Sequence, residues 1–172
     1  PLRITNDTNG NDVVLFDGSN DWFSLNNGLD LSGDLTTFTV IKRNQSGTVT
    51  IVLGNNSLSN FSPDWYTNNK MFYRTDDDFI GSSPRSDTGI FLIEGQNYRN
   101  NTPPSRVIKN NTSVAYGDIG TSTDTYNTVG KMQNLFMKGE ICEIAHYNRE
   151  LTSQEVLDVR NYLANKWGVT LV

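Results

Sequence analysis

The sequence predicts an all-β protein: an antiparallel jelly-roll sandwich with one amphipathic helix at its C-terminal end. Three observations lead there. Short runs of β-branched and aromatic residues recur along the 172 residues, separated by clusters of Asn, Asp, Gly, Ser and Thr; this is the rhythm of many short strands joined by polar turns. Within runs the apolar residues alternate, as in residues 48–53, where Val49, Ile51 and Leu53 fall on one face and Thr48 and Thr50 on the other. One segment near the C-terminus changes instead to helical spacing.

In chain order, the first strands are expected at residues 13–16 and 22–25. Between them, Asp17-Gly18-Ser19-Asn20-Asp21 reads as a hairpin turn, since Asp and Asn close turns by bonding their own backbone. A calcium loop needs about six or more oxygen ligands, and this stretch offers Asp17, Asp21, Asn20 and a carbonyl. Further strands are expected at 38–43, 48–53, 71–74, 90–94, 106–109, 112–116, 135–137 and 141–147. Residues 90–93 are apolar on both faces, which predicts a central strand. Pro103-Pro104 cannot join a central ladder and marks a short loop. Residues 79–88 and 117–130 are polar and read as surface loops of the kind that carries binding function. Thr152-Ser153-Gln154-Glu155 is a capping box, with Leu151 and Val156 placed as its hydrophobic staple. Val156, Val159, Leu163 and Trp167 continue one stripe, and Lys166 then Gly168 end the helix.

This length suits one domain over residues 1–172. A net charge of −5 argues against nucleic acid or an anionic membrane as partner, because both reward clustered Lys and Arg. No apolar run reaches the roughly 20 residues of a spanning helix, so membrane insertion is not expected. Cys142 is the only cysteine, which rules out an intramolecular disulfide and a thiolate zinc cluster. A chain that starts at Pro1 suggests either a domain cut from a longer polypeptide or a processed product, and the domain is expected to be part of a larger polypeptide or assembly.

The two ends carry a resemblance. VVLFDGSNDWFSL (residues 13–25) with LTTFTVIKR (35–43), and MKGEICEIAHYNRELTSQEVLDVRNYLANKWGV (137–169), are similar to the laminin G-like, concanavalin A-like lectin and glucanase superfamily, in the form found in bacterial surface and phage virion proteins. The resemblance implies a concanavalin A-like jelly roll whose first and last strands pair. It also implies glycans and neighbouring chains of an assembly as partners, and an extracellular or virion-surface location. The family often turns its late hairpin on Asn-Gly; here IKNNTSV supplies Asn110-Asn111, and Asn also tolerates the left-handed conformation.

Catalysis is not expected. Glycosidases of this superfamily carry a Glu-x-Asp-x-x-Glu run along one strand, and retaining chemistry needs carboxyl groups about 5 Å apart. Nothing here matches that run. Glu140 and Glu143 come nearest, and a separation of three points them to opposite faces of a strand. Cys142 and the sole histidine, His146, share a face at a separation of four, too far apart for a nucleophile pair.

The candidate ligand-binding residues are Trp65, Tyr66, Tyr98, Arg99 and Asp76. Trp65 and Tyr66 read as loop residues that either present aromatic faces to a sugar ring or serve packing, and Tyr98 and Arg99, between GQN and NNT, carry the same two readings. Asp76, Asp77 and Asp78 follow a strand and crowd three carboxylates together, either as a solvated acidic turn or as a calcium site. These features point to a non-catalytic carbohydrate-binding or adhesion module on a surface assembly such as a virion tail, fibre or capsid decoration. A structural cement or spacer is the alternative, and a polysaccharide-cleaving enzyme is the weakest reading.

Overall fold

A computed structural model describes residues 1–56, 61–65, 71–75, 78–82, 87–98, 104–118 and 125–172. The strands are β1 (Leu2–Thr8), β2 (Asn11–Asp17), β3 (Phe23–Asp30), β4 (Leu35–Arg43), β5 (Leu53–Gly54), β6 (Phe61–Trp65), β7 (Met71–Thr75), β8 (Asp78–Gly81) and β9 (Gly89–Asn97). They continue as β10 (Ser105–Lys109), β11 (Thr112–Gly117), β12 (Thr125–Val129), β13 (Lys131–Met132), β14 (Leu135–Phe136) and β15 (Lys138–Tyr147), followed by α1 (Ser153–Trp167). Two sheets stack, one in the order β1-β2-β15-β4-β9-β10-β11 and one in the order β3-β12-β5-β6-β7-β8. Every described strand pair is antiparallel, and the last strand joins β2 through Glu140↔Leu15 and Ile141↔Val14. The first strand expected from the sequence lies within β2, so the implied pairing of the two ends holds, with β1 added as an edge.

The central strands of the seven-stranded sheet are buried on both faces. Phe16, Leu35, Ile41, Phe91, Ile93 and Ile141 pack inward against residues of the second sheet such as Leu53 and Tyr126. Val13, Phe38, Val40 and Leu92 point outward and meet Leu163, Ala164 and Trp167 of α1. This explains why β4 is buried along nearly its whole length and why β9 is apolar on both faces, as a strand between β4 and β10 must be.

The helix forms where its signals stand. Glu155 N–H donates to Thr152 Oγ1 at 3.3 Å and Thr152 N–H to Glu155 Oε2 at 2.9 Å, while Gly168 ends the helix at φ 69°. Replacing Thr152 by Ala removes this cap. The expected cost is about 1 kcal/mol, read as a melting temperature lower by ~2–4 °C; an unchanged melting curve would contradict the role.

Five expectations are corrected. Asp17–Asp21 closes a turn, with Asp17 Oδ1 accepting from the Ser19 and Asn20 amides at 2.8 and 3.3 Å. It is not a hairpin, however, because β2 belongs to one sheet and β3 to the other. Residues 48–53 do not form an alternating strand. Thr50, Ile51, Val52 and Leu53 are all buried, and the backbone is held from the side by Gly130 N–H to Val52 O at 2.8 Å and Lys138 N–H to Val49 O at 3.0 Å. Residues 125–129, expected within a loop, form β12; its inward pair is Tyr126 and Thr128, and the threonine hid the alternation. Residues 79–81, expected at the start of the other polar loop, belong to β8.

The fifth correction concerns β15. A bulge sets Ile141 opposite Ile41 but Glu143 opposite Val40, leaving Cys142 as the extra residue. A bulge shifts the side-chain alternation by one, so Glu140 and Glu143 share the outer face. The same shift separates Cys142 from His146, which faces inward against the Tyr126 ring at 6.1 Å.

Candidate functional site

Glu140 and Glu143 are both committed to structural contacts. Glu140 accepts from Asn44 Nδ2 at 2.9 Å and lies 3.1 Å from Lys42 Nζ. Glu143 Oε2 accepts from Trp167 Nε1 at 2.5 Å and pairs with Lys166 Nζ at 3.0 Å, which fixes the end of α1 to the sheet. Burial pushes the Cys142 thiol up to about 12, so it stays protonated and inert at neutral pH.

A groove of about 690 Å³ lies on the outer face of the seven-stranded sheet, between β9–β11 and the first turns of α1. Ile108, Leu151 and Val156 form its apolar base. Gln96, Tyr98 and Arg106 line the sheet side, and Glu150, Ser153 and Arg160 the helix side. The helix does not cover the sheet fully, because it crosses β4 and β9 and leaves β10 and β11 open.

A buried polar network builds the groove wall. Glu94, 1% exposed, receives both Nε and Nη2 of Arg160 at 3.1 and 2.7 Å. Gln96 Nε2 donates to the other Glu94 oxygen. Gln96 Oε1 in turn accepts from Tyr98 Oη at 2.6 Å and from Arg106 Nε. Burial pushes the Glu94 carboxyl up, and Arg160 opposes that shift. Burial likewise pushes the Tyr98 phenol up, with Arg106 opposing. The chain of bonds orients every polar group it contains, which a site for a polar ligand requires.

The turn Asn110-Asn111 contributes to the same wall. Both residues are left-handed, with φ 47° and 74°, as a two-residue hairpin turn demands. Asn110 Oδ1 accepts from the Leu92 amide at 2.9 Å, and Asn111 Oδ1 accepts from Arg160 Nη1 at 2.6 Å. Glycine would supply the dihedrals without these bonds.

Of the residues singled out in the sequence, Tyr98 lines this groove, with its ring buried and its hydroxyl held by Gln96. Trp65 ends β6 and Asp78 opens β8, described in backbone only. Tyr66, Asp76, Asp77 and Arg99 lie outside the described residues. Among the described residues no three His, Cys, Asp or Glu side chains gather to hold a metal ion. Sequence reasoning passed over Gln96, Arg106, Glu150 and Arg160. The available signals were Glu94 inside the apolar run of β9 and Arg160 four residues after Val156 on the helix's apolar stripe, two opposite charges at positions where charge needs a partner.

No protein-family profile matches this chain, and no curated protein matches it. Among solved structures, the binding domain of botulinum neurotoxin DC in complex with SialylT is similar in fold, at 11% sequence identity and a TM-score of 0.49 over 88% of this chain. The chain spans 44% of that neighbour's length.

Proposed function

We propose that this chain is a non-catalytic carbohydrate-binding or adhesion module of laminin G-like type, carried outside the cell on a surface assembly such as a virion tail, fibre or capsid decoration. The observation that carries the reading is the groove: an apolar base edged by pre-oriented hydrogen-bonding side chains, the arrangement that suits a sugar ring with one apolar face and a rim of hydroxyls. The family-like ends and the missing carboxylate run agree with binding without turnover. Each groove is small, so the affinity that matters would come from many copies on one particle.

The test is a glycan-array screen of the folded domain beside Arg106→Ala. Binding to at least one glycan is expected, weakened about 10–100-fold in the variant, the scale of a lost charged hydrogen bond. A folded domain that binds no glycan would overturn the reading. It would favour a cement or spacer role, toward which Tyr116 points: it is 77% exposed on β11, the edge of its sheet among the described residues and of the kind a neighbouring chain can cover.

A further inference from the structure

We infer that the groove selects an uncharged hexose over an acidic sugar, and that Arg106 and Glu150 make the selection. The inference rests on the carbohydrate-binding reading and adds to it the chemical class of ligand.

The argument is one of charge and free hydrogen-bonding capacity. Arg160 is closed off by Glu94 and Asn111, so it brings no unpaired charge to the groove. Arg106 spends its Nε on Gln96 and its guanidinium lies against the Tyr98 hydroxyl, but it has no carboxylate partner among the described residues. The Glu150 carboxylate is exposed and has no cation partner among them. Among the described residues the groove therefore offers one guanidinium without a carboxylate partner from the sheet side and one carboxylate without a cation from the helix side, with a formal sum of zero.

A carboxylate accepts hydrogen bonds from adjacent hydroxyls, and a guanidinium fork donates to hydroxyl or ring oxygens. Together they match a neutral polyol, which is both donor and acceptor. An acidic sugar held by Arg106 would sit in the same small groove as Glu150, and like charges at such range are costly. The helix N-terminus, which ordinarily favours an anion, is already served: Glu155 accepts the Thr152 amide and pairs with Arg149 at 2.7 Å. Nothing else among the groove residues favours an anion over a neutral ring.

The experiment is calorimetric titration of the whole chain with a panel of neutral hexose oligosaccharides and the same panel bearing uronic or sialic acid. It is run at low and high salt, with Glu150→Gln, Arg106→Ala and Arg106→Lys beside the native protein. Glu150 is exposed, so its variant should fold, and melting curves check each protein. Neutral sugars should bind with little salt dependence, weakened about tenfold or more by Glu150→Gln and by Arg106→Ala, with Arg106→Lys in between. Acidic sugars should bind more weakly than neutral ones and gain affinity in Glu150→Gln. Tighter binding of the acidic panel would overturn this inference and leave the carbohydrate-binding reading standing. So would neutral binding indifferent to both residues, because the sugar would then sit elsewhere. Silence from every sugar would overturn both.

Discussion

Replacing Arg160 with Ala should lower the unfolding free energy by about 3–5 kcal/mol at pH 8, because it leaves a buried carboxylate without its cation. Glu94 is 1% exposed and takes two of its hydrogen bonds from Arg160. Burial already holds its carboxyl above the ordinary value of 4.5, with Arg160 opposing that shift, and losing the guanidinium raises it further. A folded carboxyl that binds its proton at higher pH than the unfolded one loses stability as pH rises through that window and regains it as pH falls. The deficit against the native protein should therefore shrink when urea unfolding is repeated at pH 5. Glu94→Leu combined with Arg160→Met should recover much of the loss, since a buried pair replaced by apolar groups is often close to neutral. A loss below about 1 kcal/mol, equal at both pH values, would show that the pair does not hold the groove wall together.

A second large effect is expected from His146. Its ring lies in the inter-sheet core, where Nδ1 shares a hydrogen bond with Thr37 Oγ1 at 2.8 Å and Tyr126 packs against it. Burial pushes its pKa down from 6.5 to about 4, so the folded protein keeps it neutral. In the unfolded chain it protonates near 6.5. Between these values the unfolded state binds more protons, so stability is fully present above about pH 6.5 and is lost as pH falls toward 4. The total is about 3 kcal/mol. Carboxylates titrate in acid too, so the informative quantity is the difference between native protein and His146→Gln across pH 4–7.5. That difference should change by about 3 kcal/mol, and two parallel stability curves would show that His146 is not held neutral by the core.

Both residues show where sequence reasoning reached its limit. Arg160 lies on the apolar stripe of a helix whose cap, staple and stop were all readable, yet its partner is 66 positions away in the chain. By simple alternation His146 and Cys142 share one strand face, and the bulge at Cys142 puts them on opposite faces. The same bulge brought Glu140 and Glu143 onto one face, each then held by a different lysine.

What the sequence determined alone was local. Capping chemistry, helical period, the left-handed turn at Asn110-Asn111 and the rhythm of short strands all rest on interactions within a few residues, so they are written in consecutive positions. The tertiary structure decided which strands share a sheet, that the Asp17–Asp21 turn bridges the two sheets, and that Glu94, Gln96, Tyr98, Arg106, Glu150 and Arg160 converge on one groove. Those placements depend on long-range pairing, and the facing of Glu143 and His146 depends on a single extra residue in β15. Side-chain alternation has a period of two, so one such residue redirects every side chain beyond it.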